Sequence, residues 1–127
     1  MNIKVTNNKK LSTESNLKKN LHTLILFDEK HSNPLFVGTL KAKIKRQGSK
    51  ITDLKKTALS AELDNGSLVT WLMISEKKST FQIQTLLRKA LDKILAENPK
   101  AVTIVNESKN NGEWLKQAVY VASVNSQ

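Results

Sequence analysis

Side chains able to do chemistry are few in this sequence. Its two histidines are His22, inside an apolar stretch, and His31, in a polar turn, and neither has metal-ligand spacing to another strong ligand. Both fit structural or surface roles. The acidic pairs Asp28/Glu29 and Glu62/Asp64 could serve as general acid and base only from within a cleft, and both lie in turn-like stretches where carboxylates are ordinary. Cysteine is absent, which removes disulfides, thiolate zinc sites and thiol nucleophiles and is compatible with a reducing compartment. The four glycines, Gly38, Gly48, Gly66 and Gly112, form neither a GxGxxG nor a Walker loop, so nothing calls for a phosphate cradle.

Charge gives a stronger signal than catalysis. The formal net charge is +10, and the excess sits in the first half: residues 41–56 carry seven Lys or Arg and one Asp, whereas residues 57–127 hold eight basic and seven acidic groups. The segment KAKIKRQGSKITDLKK presents Lys41, Lys43, Lys45, Arg46, Lys50, Lys55 and Lys56 as a candidate polyanion or partner surface. It contains no aromatic residue for base stacking and no helix-turn-helix pattern, so a solvated helix face is the competing interpretation. Trp71 and Trp114 fall in a strand-like run and on a helical stripe, where core anchoring is expected.

The elements that must position these groups follow from periodicity. A length of 127 residues with 39% apolar content suits one globular domain with one real core. The first residues, MNIKVTNNKK, hold no signal-peptide core and no run reaches the length of a membrane span, so a soluble cytoplasmic protein without membrane partners is expected. Leu68 to Ile74 is a nearly continuous apolar run, which predicts a central strand covered on both faces. Ser79 and Gln82 then form a capping box, and Ile83, Leu86, Leu87, Ala90, Leu91, Ile94 and Leu95 recur at helical spacing. This long helix must lay its stripe on a sheet, because burial of the stripe at roughly 1.5–3 kcal/mol per large side chain falls short of its ordering entropy of roughly 1–2 kcal/mol per residue.

The rest of the chain supplies that sheet. Asn2 to Thr6 reads as a short edge strand, Asn7 to Asn20 as a polar surface loop with only Leu11 and Leu17 apolar, and Leu21 to Phe27 as a second buried strand. Asn33 and Pro34 predict a helix start, Phe36, Leu40 and Ile44 its apolar side with Val37 beside them, and Gly48 its end. Thr57 to Leu63 alternates, and Asn65-Gly66 then predicts a hairpin with positive φ at both central residues. Asn98-Pro99 ends the long helix, Ala101 to Val105 is another strand, and Trp114, Leu115, Ala118, Val121 and Ala122 share the face of a last helix. The order β, β, α, β, β, α, β, α predicts a mixed sheet with helices on both faces.

The segments HTLILFDE, NPLFVGTLKAKIKRQG, ITDLKKTALSAEL, LVTWLMIS, STFQIQTLLRKALDKIL and AVTIV, followed by a terminal helix, resemble in order and spacing the N-terminal domain of bacterial leucyl aminopeptidases, also called cytosol aminopeptidases. The resemblance spans essentially the whole chain. It implies a macro-domain-like, three-layer α/β/α sandwich forming one non-catalytic domain over residues 1–127. It also implies a catalytic domain elsewhere in the same polypeptide, where two divalent metals, Zn or Mn, serve peptide hydrolysis. No counterpart of the family's NTDAEGRL segment or of its Lys, Asp, Asp and Glu metal ligands occurs here, so no catalytic, cofactor-binding or metal residue is carried over. Met73 to Glu76, MISE, stands where the family has a glycine-rich VGLG-like run, which speaks against close backbone approach at that turn.

A role in assembling the hexamer and in shaping access to its active sites is what the resemblance implies, with DNA binding in some bacterial members. The chain is expected to be a piece ending at Gln127 of a longer metallopeptidase, itself hydrolysing nothing. Two alternatives remain open: a nucleic-acid-binding module using the basic 41–56 surface, and an ADP-ribose-binding macro domain, although the acidic and glycine-rich ligand loops of macro domains are not evident.

Overall fold

The computed structural model describes residues 2–6, 20–30, 33–75, 77–108 and 113–125. Five strands, β1 (Asn2–Thr6), β2 (His22–Phe27), β3 (Leu59–Glu62), β4 (Leu68–Met73) and β5 (Ala101–Asn106), form one sheet in the order β1-β5-β2-β4-β3. Among the described residues three helices, α1 (Val37–Gln47), α2 (Thr80–Leu95) and α3 (Glu113–Asn125), accompany them, with a 3₁₀ turn at Ile51–Lys55. β1, β5, β2 and β4 run parallel, and β3 alone is antiparallel. This is the mixed α/β sheet expected, with β1 at one edge. The expected Asn7–Asn20 loop lies outside the described residues except for Asn20.

Strand periodicity divides the core in two. Leu24, Leu26, Leu72, Ile74, Val102 and Ile104 point to one face, where they meet Ile83, Leu87, Ala90, Leu91 and Ile94 of α2 and the predicted α3 stripe from Trp114 to Ala122. The intervening residues Ile25, Phe27, Val69, Trp71, Met73 and Val105 point to the other face, against Phe36, Leu40 and Leu54. β2, β4 and β5 are therefore apolar at successive positions because both of their faces are covered. Leu86 and Leu95 flank the α2 stripe and are only partly buried.

Local capping signals hold where their partners are close in sequence. Ser79 and Gln82 exchange both hydrogen bonds of the capping box, at 3.2 and 2.9 Å, and α2 begins at Thr80. Gly48, at φ 68°, ends α1: its N–H donates to the Lys45 carbonyl and the Ser49 N–H to the Ile44 carbonyl, the paired bonds of a Schellman motif. Asn98, at φ 52°, turns the chain after α2.

Two turns differ from expectation. α1 starts at Val37, not at Pro34, and the residue before it, Phe36, has φ 59°. The reason is a tether: the Leu35 N–H donates to Glu107 Oε2 at 2.8 Å, and the Leu35 carbonyl accepts from Trp71 Nε1 at 2.9 Å. With both backbone groups held from the sheet, the chain runs non-helical to Phe36, whose left-handed backbone redirects it and whose ring is buried. The β3–β4 hairpin also departs from a two-residue turn. Leu63 N–H donates to the Ser67 carbonyl and Gly66 N–H to the Leu63 carbonyl, and in this turn only Gly66 has positive φ, 88°. It is a three-residue loop with glycine in the bulge position. Gly66→Val should cost about 1–2 kcal/mol through backbone strain alone, since no neighbour lies within 4 Å of an added Cβ. Urea titration of the variant checks this, and an unchanged midpoint would contradict it.

Candidate functional site

The seven cations of the expected polyanion surface do not act as one set. On α1, Lys41, Lys45 and Arg46 are exposed, and Lys41 and Lys45 follow each other one turn apart. Lys43 instead lies half-buried and donates to the backbone carbonyl of Ser60 in β3. Lys50 is exposed at the mouth of the 3₁₀ turn, where its N–H donates to Asp53 Oδ2. Lys55 pairs with Glu29 at 2.7 Å, and Lys56 is exposed. Five cations thus face solvent and two are engaged, a division that charge counting along the chain could not show.

A second group of polar residues gathers beyond the carboxyl ends of the parallel strands. Asp28, Ser75, Asn106 and Glu107 follow or end β2, β4 and β5, and all are buried. Asp28, Glu29, Lys30, Ile74, Ser75 and Lys77 line a crevice of about 250 Å³ there. In open α/β sheets such a crevice opens where neighbouring strands send their connections to opposite faces. β2 leads to α1 on one face, and β4 leads to α2 on the other. Within it the Ser75 hydroxyl accepts from the Lys77 N–H at 3.3 Å, while Glu107, which is not part of the lining, accepts from the Leu35 N–H. What the arrangement can do is orient a small polar ligand between carboxylate and ammonium groups.

No family model, curated protein or solved structure matches this chain.

The crevice contains one of the two acidic pairs raised from sequence, Asp28/Glu29. Glu62 and Asp64, the other pair, stay exposed at the end of β3 and in the hairpin loop. Glu107 and Ser75 were not singled out by motif reasoning. Their signal was positional: each is a polar residue at or near the end of a buried apolar run. His22 sits at the opposite, amino end of the sheet, its Nε2 2.8 Å from Glu97 Oε1. His31 lies outside the described residues. Among the described residues, no three His, Asp or Glu side chains are grouped to hold a metal ion, and no helix is long and apolar enough to cross a membrane. Both tryptophans are core residues, as their positions in the pattern suggested.

Proposed function

We propose that this chain is the non-catalytic N-terminal domain of a leucyl aminopeptidase, contributing to oligomer assembly and active-site access in a two-metal enzyme that removes N-terminal residues from peptides. The observation supporting it is the sheet: four parallel strands joined by crossovers, with one antiparallel edge strand supplied by the Asn65-Gly66 hairpin, laid out in the element order on which the resemblance rests. The catalytic domain of the same polypeptide, with its Zn or Mn ions, carries the hydrolysis and builds the hexamer together with this domain.

Pure chain incubated with leucine p-nitroanilide and manganese or zinc is expected to release no p-nitroaniline above buffer. Metal-dependent turnover would overturn the non-catalytic assignment. The coding sequence beyond Gln127 is expected to continue into a segment like NTDAEGRL with spaced Lys, Asp and Glu ligands, and a stop codon there would remove the aminopeptidase role.

A second function, duplex nucleic-acid binding, is favoured by the exposure of Lys41, Lys45, Arg46, Lys50 and Lys56. If three of these cations contact phosphates, log affinity should fall against log salt with a slope of about −3, and charge reversal of Lys41, Lys45 and Lys56 to Glu should flatten it. Gel-shift titrations at graded salt decide this, and absence of binding at low salt eliminates the function. Lys55 is left out of the reversal because Glu29 already holds it.

A further inference from the structure

The outer side of β3 holds backbone carbonyls capped by Lys43 and Lys93, which neither function above uses. In an antiparallel pair, residues alternate between those that exchange hydrogen bonds with the partner and those whose backbone groups point away. The hairpin closes with Leu63 N–H donating to the Ser67 carbonyl at 2.8 Å, and the register sets Ala61 opposite Val69 and Leu59 opposite Trp71. Stepping back by two from Leu63, Ala61 and Leu59 bond to β4, while Glu62, Ser60 and Ala58 turn their backbone groups outward.

Two of those outward carbonyls carry ammonium groups. Lys43 of α1 donates to the Ser60 carbonyl, and Lys93 of α2 donates to the Ala58 carbonyl at 3.1 Å. α1 and α2 lie on opposite faces of the sheet, so the lysines converge on the edge from both sides. Shallow grooves flank the entry to the strand and share Ala58 as a wall. One, of about 300 Å³, is lined by Leu86 with Lys56, Lys89 and Lys93, against a single acid, Asp92. The other, of about 260 Å³, includes Ile44, Leu54 and Leu59, with Lys50 and Asp53 at its rim.

We propose that β3 is a docking edge for an extended acidic segment of a partner protein, which joins the sheet as an added strand. The lysines set the charge requirement. A neutral strand would have to displace both ammonium groups from the carbonyls and offer them nothing, which is how an edge is kept closed to indiscriminate pairing. A strand bearing carboxylates gives each ammonium a new acceptor and frees the Ser60 and Ala58 carbonyls for its own N–H groups. Because side chains of an extended segment alternate between faces, carboxylates at adjacent positions reach Lys43 on one side and Lys89 or Lys93 on the other. Small apolar neighbours fit the grooves beside Leu86 and Leu59.

The test is fluorescence anisotropy of the full chain with a labelled ten-residue peptide containing two adjacent Glu flanked by Val and Thr, and with its Gln-for-Glu counterpart. The acidic peptide should bind at least about tenfold more tightly than the Gln peptide, a difference of ~1.4 kcal/mol. Ser60→Pro removes an outward N–H that β4 does not use, so the hairpin should survive by circular dichroism while binding falls by about tenfold or more. Ser60→Ala, which loses the 2.7 Å hydroxyl contact with Thr70 but keeps the N–H, should bind like the parent. Lys43→Gln with Lys93→Gln should weaken the acidic peptide and bring the two peptides level. Equal binding of both peptides to the parent chain, parental affinity in Ser60→Pro, or no binding at millimolar peptide would overturn the proposal. Should Ser60→Pro fail to fold, amide exchange of Ser60 and Glu62 in the parent chain replaces it: added acidic peptide should slow both, and unchanged exchange is the contrary result. None of these outcomes depends on the aminopeptidase assignment, which the p-nitroanilide assay and the downstream sequence test separately.

Discussion

Trp71→Ala should destabilise the chain by ~3–5 kcal/mol, the range for truncating a large aromatic in a closed core. Trp71 is fully buried in β4, opposite Ile25 of β2 on one side and Leu59 of β3 on the other. Its loss opens a cavity among Ile25, Phe27, Phe36 and Leu40 and leaves the Leu35 carbonyl without its indole donor. With a 127-residue chain, such a change should lower the melting temperature by roughly 10 °C or more. Trp71→Phe separates the two contributions. It keeps an aromatic ring but gives up the hydrogen bond, so it should cost only ~1–3 kcal/mol, largely from leaving the Leu35 carbonyl unsatisfied. Urea denaturation followed by circular dichroism measures both. An alanine variant within 1 kcal/mol of the parent would mean that the tether to Leu35 and the packing around the indole contribute little.

Leu87→Ala should cost ~2–5 kcal/mol from the opposite side of the sheet. Leu87 is fully buried on α2, among the strand residues Leu24, Leu72 and Ile104 and the α3 stripe. Phe81, on the same helix, is 74% exposed, and its replacement by Ala should move stability by no more than about 0.5 kcal/mol. Combining Leu87→Ala with Trp71→Phe tests the two-faced core directly. The side chains belong to separate clusters with the sheet between them, so the two effects should add to within about 0.5 kcal/mol. Strong coupling in the double-mutant cycle would show that the two layers respond as one packed unit.

The surface predictions depend on the same architecture. β3 is held against β4 with its outward carbonyls capped from α1 and α2, and the other members of the basic segment, Lys41, Lys45, Arg46, Lys50 and Lys56, are exposed. Lys43 and Lys55 have ordinary neighbours in sequence, yet one is engaged by an edge strand and the other by a carboxylate of the β2 turn.

By itself the sequence determined what depends on neighbours a few residues apart. The Ser79–Gln82 capping box, the Gly48 helix end, the apolar runs of β2, β4 and β5 and the stripes of α2 and α3 were all legible, because a cap, a positive φ and an i, i+4 face are local properties of the backbone. The tertiary structure alone decided the strand order, the late start of α1, the polar crevice at the strand ends and the division of the cations. Leu35 is held by Trp71 and Glu107, 36 and 72 residues away along the chain, and no propensity at Asn33-Pro34 anticipates donors and acceptors that distant. Long-range pairing took up the part-buried Leu35 backbone groups that local signals would have placed in a helix, and where the two conflicted the tether prevailed, because leaving its buried partners, the Trp71 indole and the Glu107 carboxylate, without these bonds costs about 1–3 kcal/mol each while the cap it displaced is worth about 1.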